Sequence, residues 1–414
     1  MKRFKRFAAL ALSAVLLCVA CALPASAAGT IALSDEVSVS ADYDWTRFQG
    51  KGVTLNVYNW GEYISNGADE SPDVVALFQQ LTGIQVNYTT FDSNETMYAK
   101  IKSGAAGYDV IFPSEYMVAK MRDEGMLAPL DLTNIPNFAL IDEEYTDQAY
   151  DPGNRYSVPY MWCTTGIIYN TTMVSRAPTA WADLWSEDYT GDILMFNNSR
   201  DAFAIAAHKL GMSINPTTPA EVARAIEDLK LQKPLVQAYV MDEIFDKMEG
   251  GEAAVGVYYS GDAITMIADN PDLAWVFPQE GVTLSIDNMC IPVGSANREA
   301  AEMFINFMCE VDVGVANCEY IGYSSPSTTV RQNLSEELRT SPIAYPGDEV
   351  MDKAQLFTSL SAEINDELDV QWSEMKSYNA GGNAYAMLLL LVAGVTLAGF
   401  NIWRKIRKKM RANY

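Results

Sequence analysis

The stretch Val53-Thr-Leu-Asn-Val-Tyr-Asn-Trp-Gly-Glu-Tyr-Ile64 decides the fold that the sequence predicts. Residues 54–59 alternate with a period of two, which is typical of a short strand that stops near Gly61. Ligands of open α/β sheets bind beyond the carboxyl ends of strands, where this chain places Trp60, Glu62 and Tyr63. A carboxylate between two rings suits an alkylammonium cation, because ring faces attract the charge and the carboxylate accepts its hydrogen bonds. Taken alone, the stretch is explained better by packed aromatic rings beside a solvated charge.

The pattern of the first strand recurs further along the chain. Predicted helices over residues 71–83 and from Asn94 alternate with strands over 84–88 and 108–112. Strands that alternate with helices indicate a parallel sheet of the doubly wound type. The strand at 108–112 again ends in polar and aromatic residues, Ser114 and Tyr116. This recurrence favours a ligand site over isolated packing residues.

A second α/β block extends from about residue 158 to residue 291. Its strand ends carry Asn198 and Asp201, then Tyr259 and Asp262. The two aspartates would also suit the first turns of helices, where negative charge is favoured. Asp287 lies inside an otherwise apolar strand, where a carboxylate is costly unless it is paired or lines a wet cleft.

The charge of the chain is strongly negative and unevenly distributed. The formal net charge is −24 over 414 residues, a length that suggests about two or three domains. Ten of the 29 basic residues lie in 1–27 and 404–414, so the segment between them has 19 basic and 53 acidic residues, a net charge of −34. Such a field repels nucleic acid and attracts cations.

Both ends of the chain carry targeting signals. Residues 1–27 predict a secretory signal peptide that is cleaved after Ala27, with lipidation at Cys21 as the alternative. Residues 28–51 are expected to be an acidic spacer. The uncharged run 384–403 is long enough to span a bilayer, and the basic residues after it predict a cytoplasmic tail at 404–414. We therefore expect an extracytoplasmic domain on a bacterial cell membrane, joined by a linker at 379–383 to a single-pass helix.

The histidine and cysteine content excludes several kinds of site. The chain has one histidine, His208, so a zinc site or a histidine-based triad is excluded in practice, and no metal or cofactor is expected. Four cysteines remain after the signal peptide. Export permits disulfides, and Cys309 with Cys318 is the expected pair.

Taken together, the segments closely resemble the spermidine/putrescine-binding proteins of ABC importers, which have the type 2 periplasmic-binding-protein fold. The matching segments, in the family's order, are Leu55–Tyr63, Tyr108–Tyr116, Trp181–Trp185 with Tyr189, Gly256–Asp262, Asp287 with Ile291-Pro292, and Ile321–Tyr323. The resemblance implies two doubly wound α/β lobes that close over a polyamine. We expect lobe 1 at 52–160 and 288–328, and lobe 2 at 161–287 and 329–378.

The resemblance also implies the ligand-binding residues. They are Trp60, Glu62, Tyr63, Ser114, Tyr116, Asn198, Asp201, Tyr259, Asp262, Asp287 and Tyr323. Asp287 is expected to be the main partner of an ammonium group. The family usually has tryptophan at two positions that Tyr259 and Ser285 occupy here, and an acid where this chain has Asn198. With Asp262 and Asp287 expected close together, these departures favour the diamine putrescine over spermidine.

The predicted function is therefore capture of a polyamine outside the cytoplasm. The expected partners are the polyamine, the permease of an ABC importer with its cytoplasmic ATPase, and the membrane. A monomer that does not bind nucleic acid and is not an enzyme is expected. A binding protein or a sensor ectodomain for another small cation is the alternative, although the short tail has no room for a signalling domain. An extracellular hydrolase that uses Asp/Glu pairs is a further alternative.

Overall fold

The structure is a computed structural model that describes residues 29–104 and 107–378. Several predicted segments lie outside the described residues: the signal peptide at 1–27, the linker at 379–383, the transmembrane helix at 384–403 and the basic tail at 404–414. Among the residues that are described, no helix is long and apolar enough to cross a membrane.

Strands and helices alternate over most of the described chain. The strands are β1 Thr30–Ala32, β2 Ser38–Ser40, β3 Thr54–Trp60, β4 Gln85–Phe91, β5 Val110–Ile111, β6 Ser157–Asn170, β7 Ile193–Phe196, β8 Val236–Val240, β9 Val255–Tyr259, β10 Leu273–Val276, β11 Thr283–Cys290 and β12 Gln355–Leu356.

The α-helices are α1 Val74–Thr82, α2 Asn94–Lys102, α3 Glu115–Asp123, α4 Ser199–Lys209, α5 Pro219–Gln232, α6 Glu243–Glu249, α7 Ser260–Asp269, α8 Arg298–Met308, α9 Val311–Ile321, α10 Thr328–Asn333, α11 Glu336–Thr340, α12 Asp348–Met351 and α13 Ala362–Ser377. Short 3₁₀ turns occupy Ala68–Glu70, Leu132–Asn134, Pro136–Leu140, Glu143–Tyr145, Pro152–Asn154, Trp181–Trp185, Glu187–Tyr189 and Lys233–Leu235.

The chain divides into two compact units. Among the described residues, unit 1 contains those from 29 to 162 and Ile286–Tyr345, and unit 2 contains Cys163–Ser285 and those from 346 to 378. The chain therefore passes between the units within β6, within β11 and after Tyr345. The lobe boundaries expected from the sequence follow residues 160, 287 and 328. Asp287 was expected in the second lobe, but it belongs to unit 1.

The sheet of unit 1 has the order β4-β3-β5-β11. Strand β3 is parallel to β4 and β5, so their carboxyl ends lie at one edge of the sheet. Strand β11 is antiparallel to β5, with Cys290 opposite Ile111. Helix α1 packs on α8 through Phe78, whose ring lies 5.0 Å from the ring of Phe304. Helix α1 ends at Gly83, which takes the left-handed φ of 72° at no steric cost.

The sheet of unit 2 has the order β6-β9-β7-β8, with β10 also paired to β6. Strands β9, β7 and β8 are parallel, and β6 is antiparallel to β9. Both units therefore contain mixed sheets rather than the purely parallel ones that the alternation predicts. The reason is that β6 and β11 each enter from the other unit.

The predicted spacer at 28–51 was wrong for its described part. Strands β1 and β2 form an antiparallel hairpin. The Ser38 backbone N–H and hydroxyl donate to Asp312 Oδ2 at 2.9 and 2.6 Å. Trp45 is 1% exposed and its ring lies edge-on to Phe307. The segment from β2 to Trp45 is therefore packed against the rest of unit 1, whereas β1 is exposed.

The predicted disulfide between Cys309 and Cys318 was also wrong. Both side chains are buried free thiols. Cys309 follows the end of α8, whereas Cys318 lies two turns into α9, about 10 Å along its axis from Val311. A disulfide needs Cα atoms about 4.4–6.8 Å apart. The thiol of Cys318 instead contacts the Met161 sulfur at 3.7 Å.

Candidate functional site

A buried carboxylate with two hydroxyl donors lies in unit 1. Asp287 is 7% exposed. The Tyr63 hydroxyl donates to Asp287 Oδ2 and the Ser114 hydroxyl donates to Oδ1, both at 2.7 Å. One donor on each oxygen fixes the orientation of the carboxylate, so these three predicted residues form one cluster, which we call the Asp287 cluster.

Backbone pairing brings the members of the Asp287 cluster together. Ser114 follows β5 at the N-cap position of α3, where its side chain makes no capping hydrogen bond, and it forms an antiparallel bridge with Asp287 in β11. The Asn288 N–H donates to the Pro113 carbonyl at 2.9 Å beside that bridge. Tyr63 lies just past the end of β3, whose carboxyl end meets that of β5. The cluster therefore lies at the sheet edge where the sequence predicts it.

Asn94 is a member of the site that sequence reasoning missed. Its amide nitrogen donates to Ser114 Oγ at 3.0 Å, and its amide oxygen accepts from the Ser114 N–H at 3.1 Å. The sequence suggests Asn94 as a helix cap, but Ser93 caps α2 by accepting from the Thr96 N–H. Ser93 and Asn94 can both cap the same helix, and only one of them is needed there. This redundancy was the signal in the sequence that one of the two residues has another role.

Aromatic rings surround Tyr63. The Tyr323 ring lies 4.6 Å from it at 83°, and the Tyr160 ring lies 5.5 Å away at 80°. The Tyr160 hydroxyl donates to the Tyr63 carbonyl at 3.0 Å, and burial raises the pKa of Tyr160 well above its usual range. Trp60 donates its indole N–H to the Phe112 carbonyl at 2.8 Å. These bonds hold a wall of rings beside the carboxylate of Asp287.

Like Trp60, which contacts Phe112 and Phe91, two further predicted residues of unit 1 have no described contact with the Asp287 cluster. Glu62 is exposed and has a left-handed φ of 43°. A glutamate in that region is uncommon, and such backbone strain concentrates at functional sites. Tyr116 donates its hydroxyl to Glu95 Oε1 at 3.0 Å. Their roles as ligand residues stay predictions.

A second carboxylate with two donors lies in unit 2. Asp201, in the first turn of α4, is 7% exposed. The Asn198 amide and the Tyr259 hydroxyl donate to Asp201 Oδ2 at 2.7 and 2.8 Å. Burial raises the pKa of Asp201, and these two hydrogen bonds oppose that shift. Asn198 also caps α4, because its amide oxygen accepts from the Asp201 N–H at 2.8 Å.

Asp262 lies at the same sheet edge as Asp201. It is 8% exposed and belongs to the first turn of α7, which directly follows Tyr259 at the end of β9. Strands β7 and β9 are parallel neighbours, so α4 and α7 both begin at the carboxyl edge of the sheet of unit 2. All four predicted residues of unit 2 are therefore found at that edge.

The chemistry of both clusters is that of cation recognition. Each combines carboxylate, hydroxyl and aromatic groups, which together accept hydrogen bonds from an ammonium group and pack against methylenes. Within the described ranges, no group of three or more His, Cys, Asp or Glu side chains could hold a metal ion. The fold and these clusters define the class of solute-binding proteins.

Comparisons with known proteins identify the family. The family model for bacterial extracellular solute-binding proteins matches residues 73–346. The chain is 37% identical over 331 residues to the spermidine/putrescine-binding periplasmic protein of Salmonella typhimurium, covering 80% of this chain and 91% of that one. It is 37% identical over 300 residues to the Escherichia coli protein of the same name, with coverages of 72% and 84%. A crystal structure of a spermidine/putrescine ABC transporter substrate-binding protein from Streptococcus pneumoniae is 38% identical, with a TM-score of 0.67 and coverages of 79% and 99%.

The chain therefore belongs to the family of spermidine/putrescine-binding periplasmic proteins. The resemblance that the sequence predicts is confirmed for the family and for the α/β periplasmic-binding-protein fold. The chain is an extracytoplasmic substrate-binding protein and not an enzyme.

Proposed function

We propose that this chain captures a polyamine outside the cytoplasm and delivers it to the permease of an ABC importer. The observation that carries the proposal is the Asp287 cluster, a buried carboxylate held by two hydroxyl groups beside the rings of Tyr63 and Tyr323. The relatives from Salmonella typhimurium and Escherichia coli are named for spermidine and putrescine, which supports the same ligand class here.

Simple energetics support a ligand with an ammonium group at each end. A hydrogen bond to a charged group contributes about 1.5–3 kcal/mol, and a desolvated cation–π contact about 2 kcal/mol. Micromolar binding needs about −8 kcal/mol after the entropy cost of association. One carboxylate cannot supply that free energy. A second carboxylate for the other ammonium group, together with aromatic rings, can supply it.

The proposed ligand preference is for the diamine putrescine. Asn198 is an amide and its nitrogen donates to Asp201 Oδ2, so this position adds no negative charge to the cluster of unit 2. Fewer carboxylates suit a dication better than the trication spermidine.

The proposed location is the outer face of the cytoplasmic membrane. The uncharged run 384–403 and the basic residues after it support a C-terminal anchor, and residues 1–27 support export. A tethered binding protein stays near its permease at a high effective concentration.

Titration calorimetry of the purified chain with putrescine, cadaverine, spermidine and spermine tests the ligand class. The proposal requires saturable heat with at least one of them, and putrescine is expected to bind most tightly. γ-Aminobutyrate is the matched control ligand, because it keeps one ammonium group and replaces the other by a carboxylate. Absence of heat and of thermal stabilisation with all four polyamines would refute the proposed function.

A further inference from the structure

The C-terminal ends of α5 and α13 adjoin in unit 2. Lys233 follows α5, and its ammonium group donates to the carbonyls of Met375, at 2.8 Å, and of Lys376. The Lys230 ammonium nitrogen lies 5.9 Å from the centre of the Tyr378 ring. We call the surface formed by Lys230, Leu231, Lys233, Lys376 and Tyr378 the tether surface, since the predicted linker begins at residue 379.

The tether surface exposes apolar side chains to an unusual degree. Leu231 is 73% exposed, more than any other large apolar side chain among the described residues, and Tyr378 is 47% exposed. Isolated exposed apolar residues are common and need no explanation. Here, however, a leucine and a tyrosine lie at one end of one helix pair, together with lysines. Tyrosine and lysine combine an apolar body with a polar tip, which suits the boundary between lipid and water.

The tether surface also concentrates positive charge on an acidic chain. It carries three lysines, although the chain between its basic ends has a net charge of −34. One of the three, Lys230, is paired with Glu227 at 2.6 Å. Burial and the neighbouring Lys376 lower the pKa of Lys233, so two of the cations repel each other. An anion bound between them would offset that repulsion.

A purely structural role accounts for only part of this surface. Lys233 stabilises the negative C-terminal end of α13 by donating to its last carbonyls, as cations at helix ends do. Lys376 donates to Asn197 Oδ1 but its side chain is exposed. Neither role explains the exposure of Leu231.

The length of the linker fixes how far the tether surface can lie from a bilayer. Five residues, 379–383, separate Tyr378 from the start of the predicted membrane span. A fully extended chain covers at most about 3.5 Å per residue, so Tyr378 stays within roughly 20 Å of that start.

We propose that the tether surface rests on the membrane, with its lysines on anionic lipid phosphates and with Leu231 and Tyr378 at the headgroup boundary. This inference rests on the proposed C-terminal anchor. It gives unit 2 a fixed face toward the bilayer, whereas the anchor alone would leave the domain free to tumble on its linker.

Quenching of an attached fluorophore by a spin-labelled lipid tests the contact between the tether surface and the membrane. The chain without residues 1–27 is reconstituted in nanodiscs of phosphatidylcholine and phosphatidylglycerol that contain a lipid with a nitroxide on its headgroup. A fluorophore is attached to Leu231→Cys or, as the matched control, to Met173→Cys, which also replaces an exposed apolar residue of unit 2 (41% exposed). Residues 1–27, which contain Cys18 and Cys21, are left out, and the four described cysteines are buried, so the introduced thiol reacts selectively.

We expect the nitroxide lipid to quench the probe at position 231 far more strongly than the probe at position 173. Lys376→Gln should lower the population in contact by about fivefold in anionic discs, whereas Lys353→Gln, another exposed lysine of unit 2, should not. Equal quenching at 231 and 173 would overturn the membrane contact. A chain that does not co-elute with the discs would overturn the anchor and the contact together. Polyamine binding measured by calorimetry on the same discs is independent of both results, so failure of the proposed function would be seen separately.

Discussion

Replacement of Asp287 by Asn tests the role of the buried carboxylate in unit 1. Asparagine has the same shape and keeps one acceptor oxygen, and the Tyr63 and Ser114 hydroxyl groups can rotate to meet its amide. The fold should therefore lose only about one neutral hydrogen bond, or 0.5–1.5 kcal/mol. The ammonium group of a bound polyamine, by contrast, loses its charged acceptor.

The expected loss of affinity follows from the burial of Asp287. Removing one partner of a buried, hydrogen-bonded charge pair costs about 2–5 kcal/mol. At about 1.4 kcal/mol for each tenfold change, Asp287→Asn should weaken polyamine binding by roughly 30-fold to 4,000-fold. Tyr63→Phe keeps the ring and removes one donor to the carboxylate, so its effect should be smaller, about tenfold or less.

Calorimetric titration with putrescine measures these effects, and urea unfolding measures stability in parallel. Asp109→Asn is the matched control. Asp109 is 3% exposed in unit 1 and accepts from the Asn56 N–H and the Ser295 hydroxyl at 2.9 and 2.7 Å, but it precedes β5 and so lies away from the carboxyl edge of the sheet. It should lower stability without weakening binding. Equal dissociation constants for Asp287→Asn and the unsubstituted chain would refute the assigned role of Asp287.

Three further predictions concern other parts of the chain. Burial lowers the pKa of His208 from 6.5 to about 4, so the unfolded chain is protonated first as the pH falls. The contribution of His208 to the free energy of unfolding is fully present above pH 6.5 and decreases by about 3 kcal/mol between pH 6.5 and pH 4. His208→Gln should remove this part of the pH dependence of urea unfolding. A pH dependence that is the same in the variant would contradict this prediction. Asn198→Asp places a second carboxylate beside Asp201 and should raise the affinity for spermidine relative to putrescine by about tenfold or more in calorimetry. An unchanged ratio of the two dissociation constants would show that this position does not set the ligand preference. Trp45→Ala should destabilise unit 1 by about 3–5 kcal/mol in urea unfolding, and a change below 1 kcal/mol would contradict the tight packing of the N-terminal hairpin.

Local patterns in the sequence were sufficient to predict the strands that carry the site. The alternation at 54–59 and the apolar run at 108–112 correspond to β3 and β5, and polar residues after both strands mark their carboxyl ends. Asp287 could be singled out because a carboxylate in a buried strand demands a partner. The identity of that partner could not be derived, since Tyr63 and Ser114 are far from Asp287 in the sequence.

The errors have physical reasons as well. The polar composition of residues 28–51 suggested a spacer, although Val37 and Val39 alternate with polar residues as in a strand and are each 1% exposed. The hairpin is held by hydrogen bonds to residues far along the chain, such as Asp312 on α9, and only the folded structure shows these contacts. The missed residue Asn94 likewise acts through a tertiary contact with Ser114 that no local pattern encodes.

A crystal structure of residues 29–378 grown with saturating putrescine tests the central claim most directly. We expect one ammonium nitrogen within hydrogen-bond distance of the Asp287 carboxylate, with the methylenes of the ligand against the rings of Tyr63 and Tyr323. The second ammonium nitrogen should also be paired with a carboxylate. Putrescine bound elsewhere, with the Asp287 carboxylate making no contact with it, would contradict the account.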